Sequence, residues 1–98
     1  MDKPAVAAAA FDIFRAAPGT LWCFVTVTCA DGAEGVGEAT LHRRETEVSD
    51  RAAELLPHLL GEAARPQLVP ACGPLTPLSE ATVASALSQA LWDIEGRR

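Results

Sequence analysis

The clearest hydrophobic pattern lies in residues 79–95, where apolar side chains recur with the period of an α-helix. One face of that helix carries Val83, Ala84, Leu87, Ala90, Leu91 and Ile94. Ser79 is a candidate N-cap. Gly96 is a candidate left-handed residue at the C-terminal end, where Arg97 and Arg98 suit the negative end of the helix dipole. Such an apolar helix must pack on another element, which the preceding residues have to supply.

Patterns of alternating character predict three β-strands upstream, over about residues 5–15, 22–30 and 34–40. The second strand is the best defined, because Cys23, Val25, Val27 and Cys29 share one face and Trp22, Phe24, Thr26 and Thr28 share the other. The first strand has a mixed signal, since its run of alanines favours a helix. Between these two strands, Pro18-Gly19 is typical of a type II turn.

The hairpin between the second and third strands has two possible registers. Asp31-Gly32 predicts a tight turn. A two-residue loop would place Val27 opposite Val36. A three-residue loop with a bulge would shift the register by one residue and exchange the two faces of the third strand. The sequence leaves both registers open.

A second helix is predicted over about residues 46–60. Its apolar positions at helical spacing are Val48, Ala52, Leu55, Leu56 and Leu59. Pro57 must kink this helix or start a short further turn, and Gly61 ends it. Residues 62–78 are rich in proline and form a connection, with a short turn near residues 67–69. The predicted fold is α+β, a three-stranded antiparallel meander followed by helices packed on one face.

Length and charge limit the functions that the chain can have. Its 98 residues suit one small domain. The net charge of −5 opposes binding to a nucleic-acid backbone, and no apolar run is long enough to cross a membrane. Much of the apolar content is alanine, so we expect the core to depend on the larger side chains. These are Phe11, Ile13, Phe14, Trp22, Phe24, the valines and the helix leucines.

The cysteines agree with a cytoplasmic protein. Cys23 and Cys29 lie six positions apart on one predicted strand, which at roughly 3.3 Å per residue is about 20 Å and too far for a disulfide. Cys72 lies in the connection. No pair has the spacing of a zinc site, and no secretory leader is expected.

No group of residues has the pattern of a catalytic site. Glu38 could act as a base only if burial raised its pKa, and no partner acid, lysine or metal ligand is spaced to assist it. We therefore expect a structural role for Glu38, and a surface or structural role for His42 and His58. Gly35 and Gly37 lack the third glycine and the helix of a phosphate-binding loop, so they are expected to permit a bulge or a close contact.

Two motifs resemble the N-terminal capping domain of the enolase superfamily, in its mandelate racemase and muconate lactonizing branch. The first is Asp31-Gly32 with Gly35, Gly37, Glu38 and Ala39. The second is Ser85-Ala86-Leu87 followed by residues 90–97. The resemblance covers residues 22–40 and 83–97 well and the middle helix more loosely, whereas residues 62–78 depart from it.

The resemblance implies a divided active site. In this family the last helix leads into a (β/α)8 barrel that carries Mg²⁺ and a catalytic base, and the capping domain closes the barrel mouth. The barrel is absent from these 98 residues, so we expect no catalytic residue, no metal ligand and no cofactor here. The family's substrate-specificity loops correspond to Gly19, Thr20 and Leu21 and to His42 and Arg43, which would contact a small carboxylate substrate.

Other interpretations remain. The chain could be a small interaction module that associates with itself or with a separate polypeptide. A surface that meets the barrel in the family would otherwise be exposed, and exposed apolar patches favour self-association. A self-contained enzyme would need a catalytic arrangement that the sequence lacks.

Overall fold

Three β-strands lead into two α-helices in the computed structural model, which describes residues 3–70 and 72–97. The strands form one antiparallel sheet in the order β1-β2-β3. The elements are β1 (Val6–Ala17), β2 (Thr20–Cys29), β3 (Glu34–Glu38), α1 (Glu45–Leu55) and α2 (Leu78–Gly96). This arrangement confirms the predicted α+β fold, a meander followed by helices.

The β2–β3 hairpin has the three-residue loop. Cys29 donates its N–H to the Ala33 carbonyl at 2.8 Å, and Gly32 donates to the Cys29 carbonyl at 2.9 Å. Gly32 has φ +90°, which a side chain would disfavour. Val27 consequently pairs with Gly35 and not with Val36. The third strand therefore turns its glycines towards the helices and Val36 towards solvent.

Those glycines allow α2 to lie directly on β3. A Cβ built on Gly35 would be 2.1 Å from the Ala90 carbonyl oxygen, and one built on Gly37 would be 1.8 Å from the Ala86 oxygen. No side chain fits in that space. The expectation of a close contact at these two glycines is therefore confirmed, and the neighbouring element is the last helix.

The core lies between the inner face of the sheet, which the helices cover, and the apolar faces of α1 and α2. Both helical patterns are confirmed, since the predicted apolar positions are buried except for half-buried Leu55. The largest fully buried side chains include Val6, Val25, Val27, Val48, Val83, Leu87, Leu91 and Ile94.

The large aromatic side chains mostly lie outside this core, which corrects the sequence-based expectation. Phe14 and Trp22 are 57% and 41% exposed. They lie with half-buried Phe24 on the outer face, away from the helices, and the rings of Phe14 and Phe24 make an edge-to-face contact at 5.8 Å. Ile13 points to the inner face but is 45% exposed. Phe11 is half-buried beside the core. Aliphatic side chains therefore supply most of the core.

Pro57 ends the regular part of the middle helix. The α-helix stops at Leu55, and residues Leu56–Leu59 form a 3-10 turn with Pro57 near its start. A second 3-10 turn, Pro66–Leu68, lies in the proline-rich connection. The further turn expected at Pro57 is therefore what forms, since a proline ring is tolerated where a helical segment begins.

Both ends of α2 differ from the prediction. The helix begins at Leu78, with Pro77 at the N-cap position, and Ser79 is buried and makes no cap hydrogen bond. Gly96 stays in the helix, and Arg97 follows in a right-handed conformation. The fixed φ of the proline sets the start, while a salt bridge between Arg97 and Asp93 at 3.1 Å supports the last turn. Arg98 lies outside the described residues.

We expect Asp93→Asn to weaken the acid dependence of stability. A hydrogen bond from Arg97, followed by one from the Val36 N–H, lowers the pKa of the Asp93 carboxyl below its ordinary value. A lowered folded-state pKa stabilises the domain above the unfolded-state pKa, and this stabilisation is lost as the pH falls through the folded-state pKa. The asparagine does not titrate, and its one acceptor oxygen can keep one of the two contacts, since Arg97 and Val36 donate to different oxygens of Asp93.

Urea denaturation of both proteins at a series of acidic pH values measures this effect. Arg97→Ala is the matched comparison. It should reduce the acid dependence only in part, because the Val36 hydrogen bond remains. An Asp93→Asn variant that loses stability with acid as steeply as the unmodified chain would contradict the assignment.

Candidate functional site

A cleft lies where the β1–β2 turn meets the loop that follows β3. It has a volume of about 420 Å³, and its lining residues are Arg15, Gly19, Leu21, His42, Arg43 and Glu45. The two predicted specificity loops, far apart in sequence, therefore share one opening at the end of the sheet.

The first side of the cleft is set by a tight hairpin. Ala17 pairs with Thr20, and Gly19 has φ +79° as the predicted turn requires. Arg15 lies directly opposite Leu21 in the β1–β2 register, so both side chains are on the same face of the sheet. The hairpin thus brings a guanidinium group and an apolar side chain to the cleft together.

The second side of the cleft is the loop after β3, which hydrogen bonds hold against β2. The Ala39 N–H donates to the Cys23 carbonyl at 2.7 Å, and the Cys23 N–H donates to Thr40 Oγ1 at 3.0 Å. Beyond this anchor the chain turns, and the Arg44 N–H donates to the Leu41 carbonyl at 3.0 Å. These contacts fix the loop that presents His42 and Arg43, both of which are exposed.

The charges of the cleft differ in sign from the charge of the chain. Arg15 and Arg43 contribute two positive charges and Glu45 one negative charge, so the lining carries +1 with His42 neutral, in a chain of net charge −5. Glu45 accepts the Arg43 N–H at 3.3 Å. An anionic group would therefore meet a locally favourable potential in this cleft.

Cys23 lies beneath this loop but is not an available nucleophile. Burial raises the pKa of the Cys23 thiol, and the negative charges of Glu45 and Glu38 raise it further. Its side chain is fully buried. A protonated, inaccessible thiol is inert, so Cys23 serves as a core residue.

Four of the five predicted site residues line the cleft, and the fifth does not. Thr20 is exposed at the first position of β2 and is absent from the lining. The sequence reasoning missed Arg15 and Glu45. The hairpin could have identified Arg15, because a turn closed by Ala17 and Thr20 places Arg15 opposite Leu21. Glu45 gave no such signal, since its position depends on how α1 starts.

Arg43 has a strained backbone, with φ +67°. Non-glycine residues in this region cost about 1 kcal/mol or more. We expect Arg43→Gly to raise the free energy of unfolding by about 0.5–1 kcal/mol, since the strain relieved exceeds the added entropy of the unfolded chain. Chemical denaturation measures the change.

Arg65→Gly is the control for this substitution, because Arg65 has an ordinary φ of −135°. It should lose stability or leave it unchanged. A loss of stability in Arg43→Gly as large as that in Arg65→Gly would contradict the strain at Arg43.

The remaining candidate residues do not form a second site. Glu38 and His58 are exposed on β3 and on the first 3-10 turn. Within residues 3–70 and 72–97, no group of three or more His, Cys, Asp or Glu side chains could hold a metal ion. The described side chains thus do not fit a magnesium site. None of the described helices is long and apolar enough to cross a membrane.

Comparison with known proteins agrees with this fold. A family model described as the N-terminal domain of mandelate racemase / muconate lactonizing enzyme matches residues 3–98. A search of curated proteins gave no match. The family match covers nearly the whole chain, including strand β3 with its two glycines and helix α2. The chain belongs to the mandelate racemase / muconate lactonizing enzyme N-terminal domain family.

Proposed function

We propose that this domain closes the active site of a (β/α)8 barrel in a Mg²⁺-dependent enzyme that acts on carboxylate substrates. The observation that supports it best is the meeting of the two loops in one positively charged cleft. In this proposal the parent reaction is a dehydration, racemisation or cycloisomerisation that begins with removal of the proton α to the carboxylate. The parent enzyme would then be a lyase or an isomerase.

The cleft would recognise the part of the substrate remote from the reacting carbon. Arg15 and Arg43 can donate hydrogen bonds to a carboxylate or hydroxyl group, and His42 can donate or accept one. Leu21 gives the same opening an apolar wall. Loops of this kind also exclude water when they close over a substrate. The domain would thereby select substrates without taking part in proton transfer.

The reacting groups would all belong to the barrel. Magnesium would require a set of oxygen ligands, which the described residues of this domain do not offer. We therefore expect no turnover from the isolated 98-residue chain.

We expect the double variant His42→Ala/Arg43→Ala to lower kcat/KM by about tenfold or more when this domain is joined to an active barrel of the family. Two hydrogen bonds to a charged substrate group are worth about that much or more. Steady-state kinetics with an anionic substrate measures the effect. His58→Ala/Arg65→Ala removes the same two residue types outside the cleft, and should leave kcat/KM unchanged. Equal kcat/KM values for the His42/Arg43 variant and the unmodified domain would contradict the proposal.

A second candidate is an interaction module that serves a separate polypeptide. The exposed aromatic side chains of the outer sheet face favour it, because Phe14 and Trp22 leave a large apolar area in solvent. A separately expressed barrel polypeptide should then bind the domain. Phe14→Ser/Trp22→Ser should abolish that binding, whereas the His42/Arg43 variant should retain it.

A further inference from the structure

The two edges of the sheet differ in how their backbone groups are satisfied. At the β3 edge, the Val36 N–H donates to Asp93 Oδ2 at 3.2 Å, and the Glu38 N–H donates to Gln89 Oε1 at 3.1 Å. Both acceptors belong to α2. Side chains of the last helix therefore take the place of a neighbouring strand along β3.

The β1 edge is covered only at its beginning. Val6 donates its N–H to the Glu62 carbonyl at 2.8 Å and accepts the Gly61 N–H at 2.9 Å. Ala64 donates to the Pro4 carbonyl at 3.0 Å. Between Ala9 and Arg15, the described residues provide no backbone partner other than β2. Most of this twelve-residue strand is thus an open edge.

The alternation of hydrogen bonds along the strands identifies which backbone groups of β1 point away from β2. Cys23 and Cys29 bond through their backbones to the β3 side, so the odd-numbered residues of β2 face β3 and the even-numbered ones face β1. The β1 residues paired with even positions bond to β2. Backbone N–H and C=O groups at the alternate positions consequently point to the open edge, and these positions are Ala9, Phe11, Ile13 and Arg15.

An apolar groove runs beside the same edge. Its volume is about 330 Å³, and it lies between β1 and the helical layer. Its walls include Ala9, Phe11, Ala52, Ala53, Leu56 and Leu60. Further along the same face of β1, the Ile13 side chain is 45% exposed. One strand thus carries both an apolar groove and a large, partly exposed apolar side chain.

We propose that the open edge binds β1 of a second copy of this chain, antiparallel, about a two-fold axis at Phe11. Phe11 then lies opposite Phe11 of the second copy, and Ala9 lies opposite Ile13 of the second copy. In each such pair the outward-pointing N–H and C=O groups can exchange two hydrogen bonds. Ile13 of each copy enters the groove beside Ala9 of the other copy, so both exposed features are buried together.

Charge and packing distinguish this register from those with the axis further along β1. An axis at Asp12 would place two carboxylates directly opposite each other, which is destabilising. An axis at Ile13 would place Ala17 and Arg15 of the second copy opposite the groove residues Ala9 and Phe11, and no large apolar side chain would fill the groove. With the axis at Phe11, Asp12 faces Ala10, and no like charges meet. The open edge is neutral, since Asp12 and Arg15 cancel, whereas the chain as a whole carries −5. A second acidic copy can therefore approach this neutral edge more easily than it can approach the acidic parts of the surface.

Paired charge variants test the register directly. Sedimentation velocity over a range of concentrations should find a reversible dimer of about twice 10.3 kDa. Ala9→Lys/Ile13→Lys would place two lysines opposite each other, and should weaken dimerisation by more than about tenfold. Ala9→Glu/Ile13→Lys alters the same positions but places opposite charges together, so it should retain the dimer. Val36→Lys, on the β3 edge, should also leave the dimer unchanged.

Amide hydrogen exchange on the unmodified chain gives an answer even if the variants fold poorly. Protection at Ala9, Phe11 and Ile13 should rise with protein concentration. Ala8, Ala10 and Asp12, which bond to β2, should be protected at every concentration. A chain that stays monomeric overturns the proposal, as does a dimer that is equally stable in the Lys/Lys and Glu/Lys variants. Protection of these amides that appears only after a separate barrel polypeptide is added would show that the edge binds that polypeptide. This result would also overturn the proposed dimer. The inference does not depend on the proposed function, since no measurement here involves a substrate.

Discussion

Replacing Gly37 with alanine is expected to lower the free energy of unfolding by about 3–5 kcal/mol, the upper range for one substitution. The new Cβ would lie 1.8 Å from the Ala86 carbonyl oxygen and 2.6 Å from its carbonyl carbon. Both atoms are backbone, so no change of rotamer relieves the overlap. Either α2 or β3 must move, and the core between them must lose contacts. Since small domains are stable by about 5–15 kcal/mol, a large part of the stability would disappear.

Urea denaturation followed by circular dichroism measures this loss, and Gly96→Ala is the control. Gly96 lies at the end of α2 with nothing within 4 Å of a built Cβ. Alanine is the better helix former, so this control should equal or exceed the unmodified chain in stability. A Gly37→Ala variant within about 0.5 kcal/mol of the unmodified chain, the usual effect of a neutral surface change, would show that the helix does not lie so close to β3.

Leu91→Ala is expected to lower the free energy of unfolding by about 2–5 kcal/mol. Leu91 has no exposed surface and lies in the part of α2 that packs on the sheet. The cost combines the lost burial of three carbon atoms, Cγ, Cδ1 and Cδ2, with the cavity that remains. Leu91 belongs to a cluster of buried aliphatic side chains and cysteines, and such a close-packed interior relaxes only partly around a cavity.

The same substitution at Leu75 is the matched control, because that leucine is 96% exposed in the proline-rich connection. Leu75→Ala should change stability by less than about 0.5 kcal/mol. Similar denaturation midpoints for the two variants would contradict the burial of Leu91 in the core.

The helices could be predicted from the sequence because their burial repeats with a helical period. The faces of α1 and α2 follow from residues such as Val48 and Leu87, whose spacing admits one interpretation. The β2–β3 register could not be predicted, because it depends on whether one residue is added to the loop. That residue decides whether Val36 or Gly37 meets the helix. Only contacts between distant segments resolve such a choice.

The aromatic residues misled the prediction for a different reason. Size and hydrophobicity suggest that Trp22 and Phe14 are core residues, but alternation alone does not say which face the helices cover. Here the helices cover the face with Val25 and Val27. The cleft was partly predictable, since its loops resemble those of the family. The pairing that adds Arg15 emerges only from the hairpin register, and Glu45 only from the start of α1.

The contacts between α2 and the edge of β3 also limit how large an assembly this sheet can form. With Asp93 and Gln89 already bonded to Val36 and Glu38, the third strand has no place for an added strand. Growth by edge pairing can then occur only through β1, and each molecule offers that edge once. A pair of molecules would use both edges and leave none for a third. Edge pairing would therefore end at a closed dimer. Open-ended growth into a fibre would first require α2 to detach from β3.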